Sequence, residues 1–137
     1  MQSFVPPPLL DRLDRFRLRR AALSYAAHGW TVTPGAWLSG HRFQCGCPGC
    51  PIMNCHPALE SWENSATADL ERVAHWWRHR PHAVLLTTGV RFDVLEAPAV
   101  LGRRVLREIR LRSGAGRSDA SGPVALTASG RLSLIHI

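Results

Sequence analysis

Apolar residues recur at helical spacing near the start of the chain and predict a first helix. Leu9, Leu13 and Phe16 form one apolar stripe, and aspartate and arginine residues occupy the opposite side. Residues 21–27 are apolar nearly all round, so we expect this half of the helix to be buried. Gly29 is placed to end the helix, because glycine readily adopts the left-handed conformation of a C-terminal cap.

A short strand and a long irregular stretch are predicted next. Residues 30–33 have the composition of a strand, and Pro34 is expected to close it. Residues 35–66 are rich in Gly, Pro, Cys, Ser and Asn and show no sustained period, which predicts a loop with one helical turn near residues 58–62. A loop of this length inside a domain is uncommon unless something organises it.

Residues 67–80 predict a second, amphipathic helix. Apolar residues recur there at positions i, i+3, i+4 and i+7 from Leu70 to Trp77, and Pro81 ends the helix. Trp76 lies off this stripe. We expect it to cover a neighbouring element rather than to stack on a nucleic-acid base.

Two strands and a third helix complete the regular pattern. Residues 83–87 form a short apolar run typical of a central strand, and residues 91–96 predict a second strand. Pro98 suits the first turn of a helix. The apolar stripe of that helix is expected to face the core: Leu101, Val105 and Ile109.

The order of these elements predicts the fold class. Residues 113–122 have the composition of a Gly/Ser-rich linker, and residues 123–127 predict a further strand. The alternation of helices and strands over 137 residues indicates one α/β (α+β) domain, a mixed sheet flanked by helices. No apolar run approaches the roughly 20 residues that a membrane-spanning helix needs, so we expect a cytoplasmic protein without membrane contact.

The charge of the chain is strongly positive and depends entirely on arginine. The formal net charge is +7, and all 17 basic residues are Arg. The planar guanidinium binds phosphate in a bidentate manner, which suits a nucleic-acid partner, although GC-rich codon usage also inflates arginine. The third helix carries a basic ridge, which is a nucleic-acid candidate or an ordinary solvated face: Arg103, Arg104, Arg107, Arg110 and Arg112.

All four cysteines lie within residues 45–55, in a Cys-rich insert that spans about residues 41–57. Their spacing is C-x-C-x-x-C-x-x-x-x-C, and His56 follows directly. Thiols this close in sequence can converge on one tetrahedral ion, and zinc is the first candidate. The predicted ligands are Cys45, Cys47, Cys50 and Cys55, with His56 or His41 able to replace one of them.

Three other interpretations compete for these thiols. Disulfides suit secreted proteins, but residues 1–10 show no basic or apolar export signal. Cys47 and Cys50 have the C-x-x-C spacing of redox enzymes, but Pro51 and the flanking glycines predict a loop rather than a helix start. Four reduced cysteines in a surface loop remain the third alternative, and we rank zinc ahead of all three.

A series of short motifs stands in order over about residues 20–130. The members are Ala26-Ala27-His28-Gly29-Trp30-Thr31-Val32, the Cys-rich insert closing on His56-Pro57, Trp62-Glu63, Ala66-Thr67, Trp76-Trp77, Thr88-Gly89 and Phe92-Asp93-Val94-Leu95-Glu96. This series resembles the N-terminal domain of bifunctional DNA primase/polymerases, in the archaeo-eukaryotic primase superfamily. No single motif is specific, and the resemblance depends on their order.

The resemblance implies nucleotidyl transfer with Mg²⁺ or Mn²⁺, acting on DNA and nucleotides. Such chemistry needs carboxylates that hold two metals, which the family takes from an Asp-x-Asp strand and a later acid, with a Ser-x-His that contacts the nucleotide. Here Glu96 occupies the first acidic position and Pro98 the second, and Asp93 is the substitute carboxylate. Three residues apart on a strand, Asp93 and Glu96 point to opposite faces unless a bulge intervenes. Alternatively, both are strand-end acids that pair with arginine, which we favour slightly.

The last six residues, 132–137, alternate like a terminal strand, but they also look like the translation of a sequencing adapter. On the second interpretation, residues 1–131 are a partial, incomplete domain whose Ser-x-His and last acid would lie beyond Arg131. We then expect an inactive N-terminal fragment of a primase/polymerase-like protein, and His136 is assigned no catalytic role. As the alternative, the chain is a non-catalytic, zinc-stabilised module with a nucleic-acid-binding or regulatory role.

Overall fold

In the computed structural model, which describes residues 9–113, 124–127 and 129–136, the chain divides into two units, Met1–Thr87 and Thr88–Ile137. The first unit contains α1 (Leu9–Ala27), β1 (Val32–Ser39), β2 (Arg42–Gln44), α2 (Trp62–Ser65), α3 (Leu70–Trp76) and β3 (His82–Leu86). The second contains β4 (Asp93–Pro98), α4 (Ala99–Ser113), β5 (Val124–Leu126) and β6 (Arg131–His136). The expected α+β class is confirmed, with the strands in two antiparallel sheets. Within the described residues, no helix combines the length and the apolar character needed to cross a membrane.

The first sheet has the order β2-β1-β3, with β1 in the centre. The strand predicted to close at Pro34 instead continues to Ser39, so that prediction was wrong. The register with β3 shifts between Pro34 and Trp37, and there the backbone of β1 takes new partners: Ala36 N–H donates to His56 O at 2.7 Å. Because the following segment supplies these hydrogen bonds, a proline within β1 does not end the strand.

The predicted loop of residues 35–66 is therefore shorter than expected. The end of β1 and all of β2 lie inside it and form a hairpin, with Trp37 opposite Gln44. The strand at residues 82–86 was expected to be central, but in the described sheet β3 lies at an edge. Its apolar character comes from packing on the helices, since Val84 and Leu86 contact the buried core.

The core of the first unit lies between α1, α3 and the sheet. Five residues that are at most 4% exposed form it: Ala22, Ala26, Val32, Val73 and Trp77. The predicted burial of the second half of α1 is confirmed at Ala22 and Ala26 but was wrong at Tyr25 and Ala27, which are exposed, because one face of the helix packs on the core. In the first half, Leu13 and Phe16 are 47% and 63% exposed. Trp76 packs against the core from the side, which confirms its expected covering role.

The second sheet has the order β4-β6-β5. Helix α4 begins at Ala99, one residue after Pro98, which still belongs to β4. The prediction that Leu101 and Val105 face a core was wrong, because they are 53% and 37% exposed. The buried position is Gly102, where an added Cβ would lie 3.0 Å from the Cβ of Leu132. A glycine lets the helix backbone approach the sheet because it has no side chain. For the same reason, an analysis of apolar periodicity does not identify it as a core position.

The strand predicted at residues 123–127 is confirmed as β5. The predicted linker lies outside the described residues, apart from Ser113 at the end of α4. Residues 132–136 belong to β6, the middle strand of the second sheet, and Leu132 is 6% exposed. Their conformation is that of the terminal strand considered above, while their origin in an adapter stays a prediction.

Candidate metal centre and acidic strand

The Cys-rich segment starts where the hairpin ends. Cys45 directly follows β2, so the sheet fixes its position. Gly46 and Gly49 adopt φ angles of 86° and 70°, a left-handed conformation that glycine tolerates best. The turn from Cys47 to Cys50 contains Gly49 and is closed by Cys50 N–H, which donates to Cys47 O at 3.4 Å. These glycines fold the segment back so that Cys45 and Cys50 approach each other.

The other side of the candidate site is held by β1. Besides the bond from Ala36 to the carbonyl of His56, Ala58 N–H donates to Pro34 O at 2.9 Å, and Gly35 pairs with Pro57 in an isolated bridge. His56 is therefore attached to β1 as Cys45 is attached to β2. Neighbouring strands of one hairpin thus bring together residues eleven positions apart in the sequence.

The structure brings Cys45, Cys50 and His56 together. One ligand atom from each lies within 4.8 Å of the others, and Cys50 Sγ is 3.6 Å from His56 Nε2. In a tetrahedral site with Zn–S bonds of about 2.3 Å, two sulfurs lie about 3.8 Å apart, so a small closure suffices to bind the ion. His56 Nδ1–H donates to Asn54 O at 2.7 Å. That bond leaves Nε2 with a lone pair directed at the thiols, as a metal ligand requires.

The electrostatics of the cluster favour a thiolate. The pKa of Cys45 is lowered to about 7, first by a hydrogen bond from the backbone of Cys47 and next by the His56 side chain. The pKa of Cys47 is raised, chiefly by its side-chain hydrogen bond with Cys45. The pKa of His56 is raised, chiefly by its bond to the Asn54 carbonyl. The hydrogen bond with Cys45 makes Cys47 a candidate for a fourth ligand, although its thiol is exposed and lies outside the group within 4.8 Å.

The remaining predicted ligands lie elsewhere. Like Cys47, Cys55 and His41 are exposed and lie outside the group within 4.8 Å, and no hydrogen bond among the described residues links either of them to Cys45. Partial desolvation raises the pKa of Cys55, which disfavours its thiolate. All four cysteines are free thiols. His56 was one of the two histidines expected to be able to replace a cysteine, and the structure places it with Cys45 and Cys50.

The acidic strand does not bring its two carboxylates together. The register of β4 with β6 runs without a shift from Asp93, opposite His136, to Pro98, opposite Arg131. Asp93 and Glu96 therefore point to opposite faces, since the alternation of side chains is unbroken. Among the described residues, the only group of Cys, His, Asp and Glu side chains placed to hold a metal is the Cys/His cluster.

Glu96 is instead held by the neighbouring strand. Arg131 Nε lies 3.2 Å from its carboxylate, and Ser133 Oγ donates to the same carboxylate at 3.2 Å. This confirms the ion-pairing alternative for Glu96. The pair is about half exposed, so its contribution to stability is less than about 1 kcal/mol, but it occupies both carboxylate oxygens.

The basic ridge lies on the solvent side of α4, where all five of its arginines are exposed. Arg112 approaches Glu108 at 4.0 Å across one helical turn. Exposure leaves the other four available to phosphate groups and equally fits a solvated helix face: Arg103, Arg104, Arg107 and Arg110.

Comparison with known protein families gives a match over most of the chain. The model of the family described as bifunctional DNA primase/polymerase, N-terminal, matches residues 22–135, from the buried half of α1 into β6. No curated protein and no solved structure matches the chain.

Proposed function

The chain belongs to the family of bifunctional DNA primase/polymerase N-terminal domains, and from this premise we propose that it is part of a protein that extends nucleic-acid chains by metal-dependent nucleotidyl transfer. The observation that carries the proposal is the family match over residues 22–135, which covers both units. The partners are DNA and nucleotides.

Within this function, the Cys/His cluster holds a structural zinc ion. The ligands are Cys45, Cys47, Cys50 and His56, a Cys₃His set of the kind that closes structural sites. Support comes from the three ligand atoms within 4.8 Å, from the bond that leaves His56 Nε2 free, and from the lowered pKa of Cys45. Zinc would cross-link the β1–β2 hairpin to the segment that follows it, and this supplies the organiser that the long loop needs.

The acidic strand does not fit a Mg²⁺ or Mn²⁺ pair. Asp93 and Glu96 point to opposite faces, Glu96 is bound by Arg131, and Pro98 has no side-chain ligand. We therefore expect this chain alone to incorporate no nucleotides. The second candidate function follows from the same observation: a non-catalytic, zinc-stabilised module in which the basic ridge binds nucleic-acid phosphates.

Two measurements test these assignments. Metal analysis of the purified chain should give one zinc per chain. A protein that purifies without zinc and binds none would contradict the assignment of zinc to the Cys/His cluster. Primer extension with Mg²⁺ or Mn²⁺ should give no product, whereas salt-sensitive DNA binding should persist. Incorporation that survives Asp93→Asn and Glu96→Gln would show that other residues hold the catalytic metals.

A further inference from the structure

A concave surface in the first unit combines positive charge with exposed apolar side chains. It lies where the first half of α1 meets the end of α3 and has a volume of about 630 Å³. We call it the α1 groove. Four arginines line it: Arg12, Arg15, Arg19 and Arg78. Its volume falls within the range of about 300–1,000 Å³ that is usual for ligand sites.

The charge of the α1 groove is unbalanced. Asp11 and Asp14 stand on the same helix but do not line it. Within the described residues, the ion pairs join Arg112 to Glu108 and Arg131 to Glu96, and none of the four groove arginines takes part. Four guanidinium groups around one concavity therefore present a site for a ligand with several negative charges.

The apolar side chains of the groove indicate what that ligand carries besides charge. Phe16 is 63% exposed and Leu13 47% exposed, and both line the groove between the arginines, with the buried Trp77 behind them. A ring left in water beside cations offers a stacking surface for a flat apolar group. Unpaired nucleic-acid bases present such a face next to a phosphate backbone, whereas the bases of a duplex are already stacked.

We propose that the α1 groove binds single-stranded nucleic acid, with arginine side chains on the phosphates and Phe16 against a base. The inference rests on the proposed function, in that the protein handles nucleic acid, and it assigns this contact to α1 rather than to the basic ridge. The spacing of three arginines explains why they line the same groove: Arg12, Arg15 and Arg19 recur at i, i+3 and i+7 and so lie on one face of α1. Arg17 and Arg20 do not line the groove.

The test is the binding of a labelled oligo-dT, followed by fluorescence anisotropy over a range of salt concentrations. The double variant Arg12→Gln/Arg19→Gln is compared with Arg17→Gln/Arg20→Gln, which removes the same charge from the same helix. The groove variant should bind about tenfold more weakly at 0.1 M salt, and the slope of log K against log salt should fall by about 1.4, from two lost phosphate contacts. The matched control should stay close to the parent protein.

A second comparison tests stacking without changing charge. Phe16→Ala should weaken binding by about 5- to 150-fold at every salt concentration, which corresponds to the loss of about 1–3 kcal/mol from one stacked base. Leu10→Ala is the control, because Leu10 is 72% exposed on α1 but does not line the groove. Circular dichroism confirms that each variant is folded.

Several outcomes would overturn the inference. Equal losses in the two arginine pairs would show that net charge alone drives binding. A loss only in Arg103→Gln/Arg107→Gln would place the contact on the basic ridge, and equal affinity for duplex and single strand would remove the role of Phe16. None of these results would alter zinc content or the primer-extension outcome, so a failure here differs from a failure of the proposed function.

Discussion

The zinc ion proposed for the Cys/His cluster leads to a quantitative prediction for the stability of the first unit. Replacing Cys50 by Ser removes a sulfur that lies 3.6 Å from His56 Nε2, at the centre of the cluster. Cys55→Ser is the matched control, since this thiol is exposed and lies outside the group within 4.8 Å. Both variants replace one sulfur by one oxygen, so they differ only in position.

The magnitude follows from linkage between metal binding and folding. An ion that binds only the folded state stabilises it by about 2.7 kcal/mol at 100 times its Kd and by about 4.1 kcal/mol at 1,000 times its Kd. For a unit of the length of Met1–Thr87, each kcal/mol shifts Tm by about 4–8 °C, so saturating zinc should raise Tm by roughly 10–30 °C. Cys50→Ser should lose most of this increase, and Cys55→Ser should keep it.

Thermal unfolding followed by circular dichroism measures this effect, in excess zinc and after chelation. The Tm of the parent and of Cys55→Ser should drop strongly on chelation. Cys50→Ser should already have a low Tm in excess zinc, and chelation should change that Tm little. A parent protein whose Tm ignores the chelator would refute the structural role of zinc. A Cys55→Ser protein that loses zinc as Cys50→Ser does would refute the ligand set with His56.

Three further predictions concern packing and pH. Gly102→Ala should lower the free energy of unfolding of the second unit by about 1–3 kcal/mol in denaturant titrations, since the new Cβ would lie 3.0 Å from Leu132; unchanged stability would show that α4 does not pack there. Trp77→Phe removes the Nε1–H that donates to His82 O at 2.8 Å, and it should lower the free energy of unfolding by about 1–3 kcal/mol in the same assay. An unchanged denaturation midpoint would show that this bond contributes nothing to stability. Burial lowers the pKa of His82, and Arg80 adds to the effect. The folded state therefore disfavours the charged ring, so stability should be full above pH of about 6.5 and should fall as pH decreases through the folded pKa. His82→Asn should remove that part of the pH dependence, and an identical pH profile in this variant would contradict the assignment.

The helices and their order could be read from local patterns. Helix α3 follows from the apolar spacing that ends at Trp77, and the buried positions Ala22 and Ala26 of α1 lie within its run of small apolar residues. These predictions succeed because a helix repeats every 3.6 residues, so neighbours in sequence share a face. The same reasoning failed on α4. The buried position there is Gly102, which packs by its backbone against Leu132, and a glycine does not count as an apolar residue in a periodicity analysis.

The candidate site was predictable in its chemistry and only partly in its geometry. Four thiols within eleven positions indicate a metal site whatever the fold, because so short a segment keeps them near one another. Which of them converge depends on the hairpin and on the bonds that tie His56 to β1, and the bonds to β1 join residues about twenty positions apart. Local periodicity carries no information on such pairings.

Local patterns were enough to predict most helical segments, the Cys/His chemistry, the basic character of the chain and its family. Three features emerged from the fold alone: β1 continues past Pro34, His56 lies with Cys45 and Cys50, and Arg131 binds Glu96 from 35 positions away. The two groups of features differ in the range of the interactions that produce them. Propensity and periodicity act within one or two turns of chain, whereas strand register and side-chain convergence arise from contacts between distant segments.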